Sequence, residues 1–137
     1  MEDNKIMADV IDLTKHAPMS LQEACEAHRR FMDKYMLKKL NITSLDNLTD
    51  ADRTRLTKEF LLCILSELSE TLNGVGWKHW KDYSTFKQNR FETKFELADI
   101  QLFLFAMYHV WGMTPQEAGH IISAKIAENI RRQEEGY

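Results

Sequence analysis

Chain-reversing residues are scarce here. Five glycines and two prolines are spread over 137 residues, and no stretch alternates apolar and polar residues between turn pairs as a half-buried strand requires. A chain with so few places to turn folds most readily as a few long helices, so the expected class is all-α. Ser20 is the expected N-cap of a first helix over residues 21–40, with Glu23 in the capping-box position. "NITSLDNLTDAD" is a polar connector to a second helix over 52–72. "NGVGWKHWKDYSTFKQNR" reads as a loop, and a third helix over 91–111 stops at Gly112. The fourth opens at "TPQE", with Thr114 as N-cap, Pro115 at the first helical position and Glu117 returning the capping-box bond, and runs to about residue 133. Four helices with short connections imply bundle-like packing. Residues 1–137 are expected to form a single domain, with 1–19 as a short helix or an arm.

The second and third helices each carry a pair of acids in apolar company. "FLLCILSELSE" places Glu67 and Glu70 after a run that is apolar on every side, and "FELADIQLFLF" holds Glu96 and Asp99. Residues three apart share a helix face, so each helix offers two convergent carboxylates. One such pair, Glu67 with Glu70, reads as a solvated helix edge. Two pairs on the two most apolar helices would gather four negative charges in one place. Buried unpaired charge is costly and like charges repel. A hard divalent cation, Mg²⁺ or Mn²⁺, resolves both problems because it takes carboxylate oxygens.

Other chemistries are short of parts. A di-iron bundle needs two Glu-x-x-His motifs, and the chain has one, Glu117 with His120, whose glutamate is wanted as a cap. His109 reads as a core or interface residue. "NGVG" lacks the Lys-Ser/Thr of a phosphate loop. Cys25 and Cys63 have no metal-ligand spacing and read as reduced core residues of an intracellular, cytoplasmic protein. The start "MEDNKIMADV" carries acids where a signal peptide needs bases, so none is expected. The run in "LADIQLFLFAMYHVWG" is too short and interrupted to span a bilayer. A net charge of −3 gives no broad basic footprint for nucleic acid.

A phosphate ligand must therefore be met locally. In "KIAENIRRQEEGY", Lys125, Asn129 and Arg132 form one helical stripe beside another of Ile122, Ile126 and Ile130. A cation, an amide and a guanidinium in line suit phosphate oxygens, although an amphipathic helix with a wet face has the same pattern. "WKHWK", residues 77–81, offers two tryptophans and two lysines, either to cover the core or to stack on a base and neutralise phosphate. On the third helix, Leu97, Ile100, Leu104 and Tyr108 cannot share one small core with Phe95, Leu102, Phe103 and Phe105, so a second subunit is expected to cover them.

Glu67-x-x-Glu70 followed by Glu96-x-x-Asp99 resembles the pattern of the MazG-like all-α nucleoside triphosphate pyrophosphatases. Within that superfamily the chain looks most like the dimeric dUTPases. "ELSETLNGVGWKHWKD" is similar to their link from the first acidic pair to a tryptophan–lysine loop. "KIAENIRRQEEGY" matches their Lys-x3-Asn-x2-Arg-Gln-x2-Gly-Tyr ending at every position. The likeness covers about residues 59–137. It implies that Glu67, Glu70, Glu96 and Asp99 hold Mg²⁺, with Mn²⁺ as a substitute, and that Glu67 helps to activate the attacking water. It implies that Lys125, Asn129, Arg132, Tyr137 and Lys78 meet the phosphates, and that Trp80 and Asn41 meet the base. The implied substrate is dUTP, with dUDP a further one, giving dUMP and pyrophosphate. The implied assembly is a homodimer, with tetramers a further level.

The family reads uracil with a Gln-x-x-Asn on its first helix, and this chain departs from that pattern. Aligned on "KKLNIT", Asn41 fits but Lys38 replaces the glutamine. Aligned on "LQEAC", Gln22 fits but Cys25 replaces the asparagine. A pyrophosphatase for dCTP or another non-standard nucleotide is thus the alternative, and a non-enzymatic helical interaction module is the alternative from another class.

Overall fold

The computed structural model of the chain describes residues 11–136. Four α-helices make up the fold: α1 (Leu21–Tyr35), α2 (Asp50–Asn73), α3 (Arg90–Val110) and α4 (Pro115–Glu134). Single turns of 3₁₀ helix lie at Leu13–Lys15 and Leu45–Asn47, and no strand occurs among the described residues. The all-α expectation holds. Tyr137 and the first ten residues of the expected arm lie outside the described residues.

Side chains in the sequence set the helix starts. Ser20 and Glu23 exchange a full capping box at the head of α1. Thr49 and Asp52 do the same for α2, which starts two residues earlier than the sequence suggested. Thr114 Oγ1 accepts from Glu117 N at 3.1 Å, but no return bond from the Glu117 carboxylate occurs among the described residues. Each cap satisfies an orphan backbone donor and contributes about 1 kcal/mol. α1 ends at Tyr35, short of residue 40. Asn41 takes a left-handed conformation with φ 55°, and Ile42 N reaches back to Leu37 O. The chain thereby folds Leu37, Leu40 and Ile42 onto the core instead of continuing the helix.

That core lies where α1, α2 and α3 meet, among Met32, Leu56, Phe60, Ala106 and Val110, with Leu45 and Leu48 closing it from the connector. α2 and α3 run antiparallel. Trp111 Nε1 donates to Thr57 Oγ1 at 3.1 Å, and the Phe60 and Phe103 rings are 6.4 Å apart. At the other end of the pair, a Cβ at Gly74 would lie 3.5 Å from Thr93 Oγ1. α3 packs on α2 and on α1, and α4 packs on α1.

Large apolar faces remain outside this core. Leu61, Leu65, Leu68 and Leu72 recur at helical spacing on the side of α2 turned away from Leu56 and Phe60, and all four are exposed. Leu97 and Leu104 on α3 are exposed as well.

Candidate metal and phosphate site

The register of α2 against α3 decides which acids meet. Beyond Phe60 and Phe103 the seam between the two helices turns polar, and Glu67, Glu70 and Glu96 converge there. One carboxylate oxygen from each lies within 4.8 Å of the others. Asp99 stands outside this trio, close enough to Glu70 for their charges to interact. The structure thus gathers three of the four predicted metal ligands and leaves the fourth beside them.

The site shows the strain of concentrated negative charge. Glu67 Oε2 is buried and has no hydrogen-bond partner. Glu96 is pushed up to about 8, first by burial and then by a hydrogen bond with Glu67 and the charges of Glu70 and Glu67. Its carboxyl therefore holds a proton at neutral pH. Burial and the Glu70 charge raise Asp99 too. A protonated carboxyl among carboxylates is how a protein limits like-charge repulsion without a cation. Hard oxygens, an orphaned buried acceptor and excess negative charge together fit a divalent cation such as Mg²⁺.

A cavity of about 420 Å³ opens beside the trio. Glu70 and Asn73 of α2, Phe86 and Lys87 of the loop, and Glu92, Thr93 and Glu96 of α3 line it. Asn89 caps α3 here, accepting from Glu92 N at 3.1 Å while its amide donates to Glu92 Oε2 at 3.2 Å. Lys87 is the one cation among the described lining residues. The sequence reading missed Lys87, Asn73 and Glu92. Glu92 had a signal, since Glu92, Glu96 and Asp99 fall at i, i+4 and i+7 on one stripe. Lys87 had none, because its place depends on how the loop returns.

That loop turns on Gly76, whose φ of 62° suits glycine and where a Cβ would lie 2.8 Å from the Tyr83 ring. Tyr83 Oη accepts from Lys78 N at 3.3 Å. The Lys78 ammonium sits over the Trp77 ring, 5.9 Å from its centroid. Trp77 and Trp80 pack edge to face at 5.8 Å, and Trp80 remains 63% exposed. Neither Lys78 nor Trp80 lines the cavity, so the structure puts both nearby in sequence but outside its wall.

The remaining predicted residues, among those described, are not brought to the trio. Asn41 lies in the turn after α1, next to Leu40, whose carbonyl accepts from Arg55 Nη1 at 2.9 Å. Twelve residues of α2 separate Arg55 from Glu67, about 18 Å of helix. Gln22 and Cys25, from the other alignment, line a separate cavity of about 180 Å³ with Gln101, Tyr108 and Ile122. On α4, Lys125 and Asn129 are exposed and absent from the cavity beside the carboxylates. Arg132 Nε donates to Glu128 Oε1 at 2.9 Å, and Glu128 also takes Arg131.

Among the described residues, no helix is long and apolar enough to cross a membrane. A family model described as dUTPase matches residues 20–135, from the Ser20 cap to the end of α4. Comparisons with curated proteins and with solved structures found no match.

Proposed function

The chain belongs to the dUTPase family, whose all-α dimeric members are nucleoside triphosphate pyrophosphatases, and from that premise we propose that it hydrolyses dUTP, and with it dUDP, in a Mg²⁺-dependent reaction that releases dUMP. Pyrophosphate is the second product from dUTP. The observation that carries this reading is the meeting of Glu67, Glu70 and Glu96 at the mouth of a polar cavity, with Glu67 Oε2 buried and unpartnered. The inactive interaction module falls with membership in a family of hydrolases.

Glu67, Glu70 and Glu96 would hold the cation, with Asp99 at their flank. When bound, Mg²⁺ or Mn²⁺ neutralises phosphate charge and sharpens the electrophilic phosphorus. The remaining roles belong to the chain. Glu67 Oε2 accepts a proton from the attacking water, since no donor in the protein occupies it. Glu96 would have to be ionised to hold the cation, because a metal ligand must be the carboxylate. Lys87, at the wall of the cavity, meets phosphate oxygens, and Asn73 donates to them. Lys78, Arg132 and Tyr137 are further phosphate contacts in this reading, and Trp80 offers its exposed ring to the base.

One observation favours a second reading at the base. Cys25 is buried at the position where one alignment requires an asparagine, and a thiol cannot offer the paired donor and acceptor of an amide. A pyrophosphatase for dCTP or another non-standard nucleotide would follow. Pyrophosphate release from a panel of dUTP, dCTP, dTTP and UTP, with Mg²⁺ and with EDTA, tests both. We expect dUTP to be turned over fastest and EDTA to stop it. Turnover that survives EDTA would remove the metal role, and a preference for dCTP would select the second reading.

A further inference from the structure

The charge of the whole chain conceals a local one. Residues 27–42, "AHRRFMDKYMLKKLNI", carry five cations and one acid, in a chain whose net charge is −3. Arg29 is the cation that the fold uses. It stands one turn from both Cys25 and Met32, the buried residues of α1, and it takes Asp33 at 3.2 Å and Asp46 at 3.0 Å. Arg30, Lys34, Lys38 and Lys39 are exposed, and none of them has an ion pair among the described residues. Glu26, one turn before Arg30, accepts from Gln22 Nε2 at 3.3 Å. Glu23 is taken up by the helix cap.

Lysines alone would make an ordinary wet face, but here they run beside exposed aromatic rings. Phe31 and Tyr35, one turn apart, are 48% and 53% exposed. Their centroids lie 5.5 Å apart, and Phe31 meets His28 at 5.8 Å, so the three rings form a ladder along α1. His28 anchors it by stacking on the buried His109. The Lys34 ammonium sits over the Tyr35 ring, 5.2 Å from its centroid. Arg30 and Lys34, also one turn apart, form the adjacent stripe. By helical spacing these two cations lie opposite Met32 and Cys25, and the rings lie between the two sides. Lys38 and Lys39 follow in the turn after α1. None of these residues lines the cavity beside the carboxylates.

We propose that this outer face of α1 binds single-stranded nucleic acid, with Arg30, Lys34, Lys38 and Lys39 on phosphates and Phe31 and Tyr35 stacked on bases. Cations without partners call for a polyanion, and charge complementarity narrows the occupant to one. The rings narrow it further, because they fit a polyanion whose flat aromatic faces are open. A single strand offers these, whereas a duplex hides its base faces within the stack and an acidic peptide would leave both rings bare. Arg30 and Lys34 are about 6 Å apart along the helix axis, a spacing comparable to that of phosphates along an extended strand. A basic groove with stacking rings binds with little regard to sequence. The proposal goes beyond the pyrophosphatase reading and does not depend on it.

Fluorescence anisotropy of a dye-labelled oligothymidylate of about twelve nucleotides, titrated with the full chain at low salt in EDTA, tests this. EDTA keeps metal from the carboxylates, so a metal-held nucleotide does not contribute. We expect saturable binding that weakens with salt, the logarithm of the binding constant falling against that of the salt concentration by about 0.7 per contacted phosphate. Replacing two cations, Arg30→Ala with Lys34→Ala, should flatten that slope by about 1.4. Tyr35→Ala should weaken binding about tenfold, as the loss of one stacked base implies. Circular dichroism checks that each variant keeps its helices, which these exposed side chains do not hold together. Glu70→Gln should bind the strand as the wild type does. A duplex of the same length, polyglutamate and vesicles of phosphatidylcholine with phosphatidylserine should each bind more weakly than the single strand. Absence of binding, binding indifferent to the α1 variants, or binding lost in Glu70→Gln would overturn the proposal. So would a duplex, polyglutamate or the vesicles binding as tightly as the strand.

Discussion

Near the start of α3 it faces Glu67 Oε2, and near its end it carries His109 Nε2; both atoms are buried and both lack a hydrogen-bond partner. The surroundings differ. Around Glu67 the neighbours are Glu70 and Glu96, all acids, and Glu96 takes up a proton to relieve them. Around His109, which is 6% exposed, the neighbour is the His28 ring, stacked at 5.6 Å, which in turn meets Phe105. Burial, then the nearby His28 and Arg29, push His109 down to about 4, partly opposed by Asp33, and burial lowers His28. Two neutral imidazoles stacked on each other beside the paired Arg29 and Asp33 cost at most a missed hydrogen bond each. A group of acids retains a charge problem that only protons or a cation resolve. An unpartnered buried atom therefore points to a ligand when its neighbours concentrate one sign of charge, and to packing when their charges are absent or balanced.

Removing a carboxylate should break the comparison most visibly. Glu70→Gln should lower dUTP turnover at saturating Mg²⁺ by at least about a hundredfold, the upper range for losing a mere supporting partner of a metal site. His109→Phe should leave turnover close to that of the wild type. Steady-state pyrophosphate release measures both, and comparable losses would erase the distinction between the two ends of α3.

A smaller effect separates charge from packing in stability. In EDTA, Asp99→Asn should melt above the wild type, because one of the repelling charges is gone. Mg²⁺ at a hundredfold excess over its dissociation constant should stabilise the wild type by about 2.7 kcal/mol, and the variant by much less. Thermal melts with and without EDTA follow both quantities. A variant that melts lower in EDTA and responds fully to Mg²⁺ would make Asp99 a structural residue.

The mildest test uses pH, to which the two ends respond in opposite senses. Glu96 has a folded pKa of about 8, above its unfolded 4.5. Its contribution is fully present below pH 4.5 and is lost as pH rises through about 8. His109 has a folded pKa of about 4, below its unfolded 6.5. Its contribution is present above pH 6.5 and is lost as pH falls through about 4. Urea midpoints in EDTA should therefore lose their alkaline decline in Glu96→Gln and part of their acid decline in His109→Phe. Parallel curves for all three proteins would show that neither group titrates as its surroundings imply.

Much of this was legible in the chain. Ser20, Thr114 and the scarcity of glycine and proline announced the helices, because caps and turns act within a few residues. Glu67 with Glu70, and Glu96 with Asp99, announced convergent acids, because three-residue spacing puts side chains on one helix face whatever surrounds them. These properties depend on neighbours along the backbone, and the sequence by itself determined them. Only the tertiary structure decided which acids meet. The antiparallel register of α2 and α3 brings Glu96 into the trio and leaves Asp99 beside it. The return of the loop carries Lys87 to the cavity and leaves Lys78 over Trp77. The packing of α4 on α1 holds Lys125 and Asn129 away from the carboxylates of their own chain. Each of these outcomes depends on contacts between residues far apart in the chain, where many pairings bury similar apolar area and only the complete packing distinguishes them.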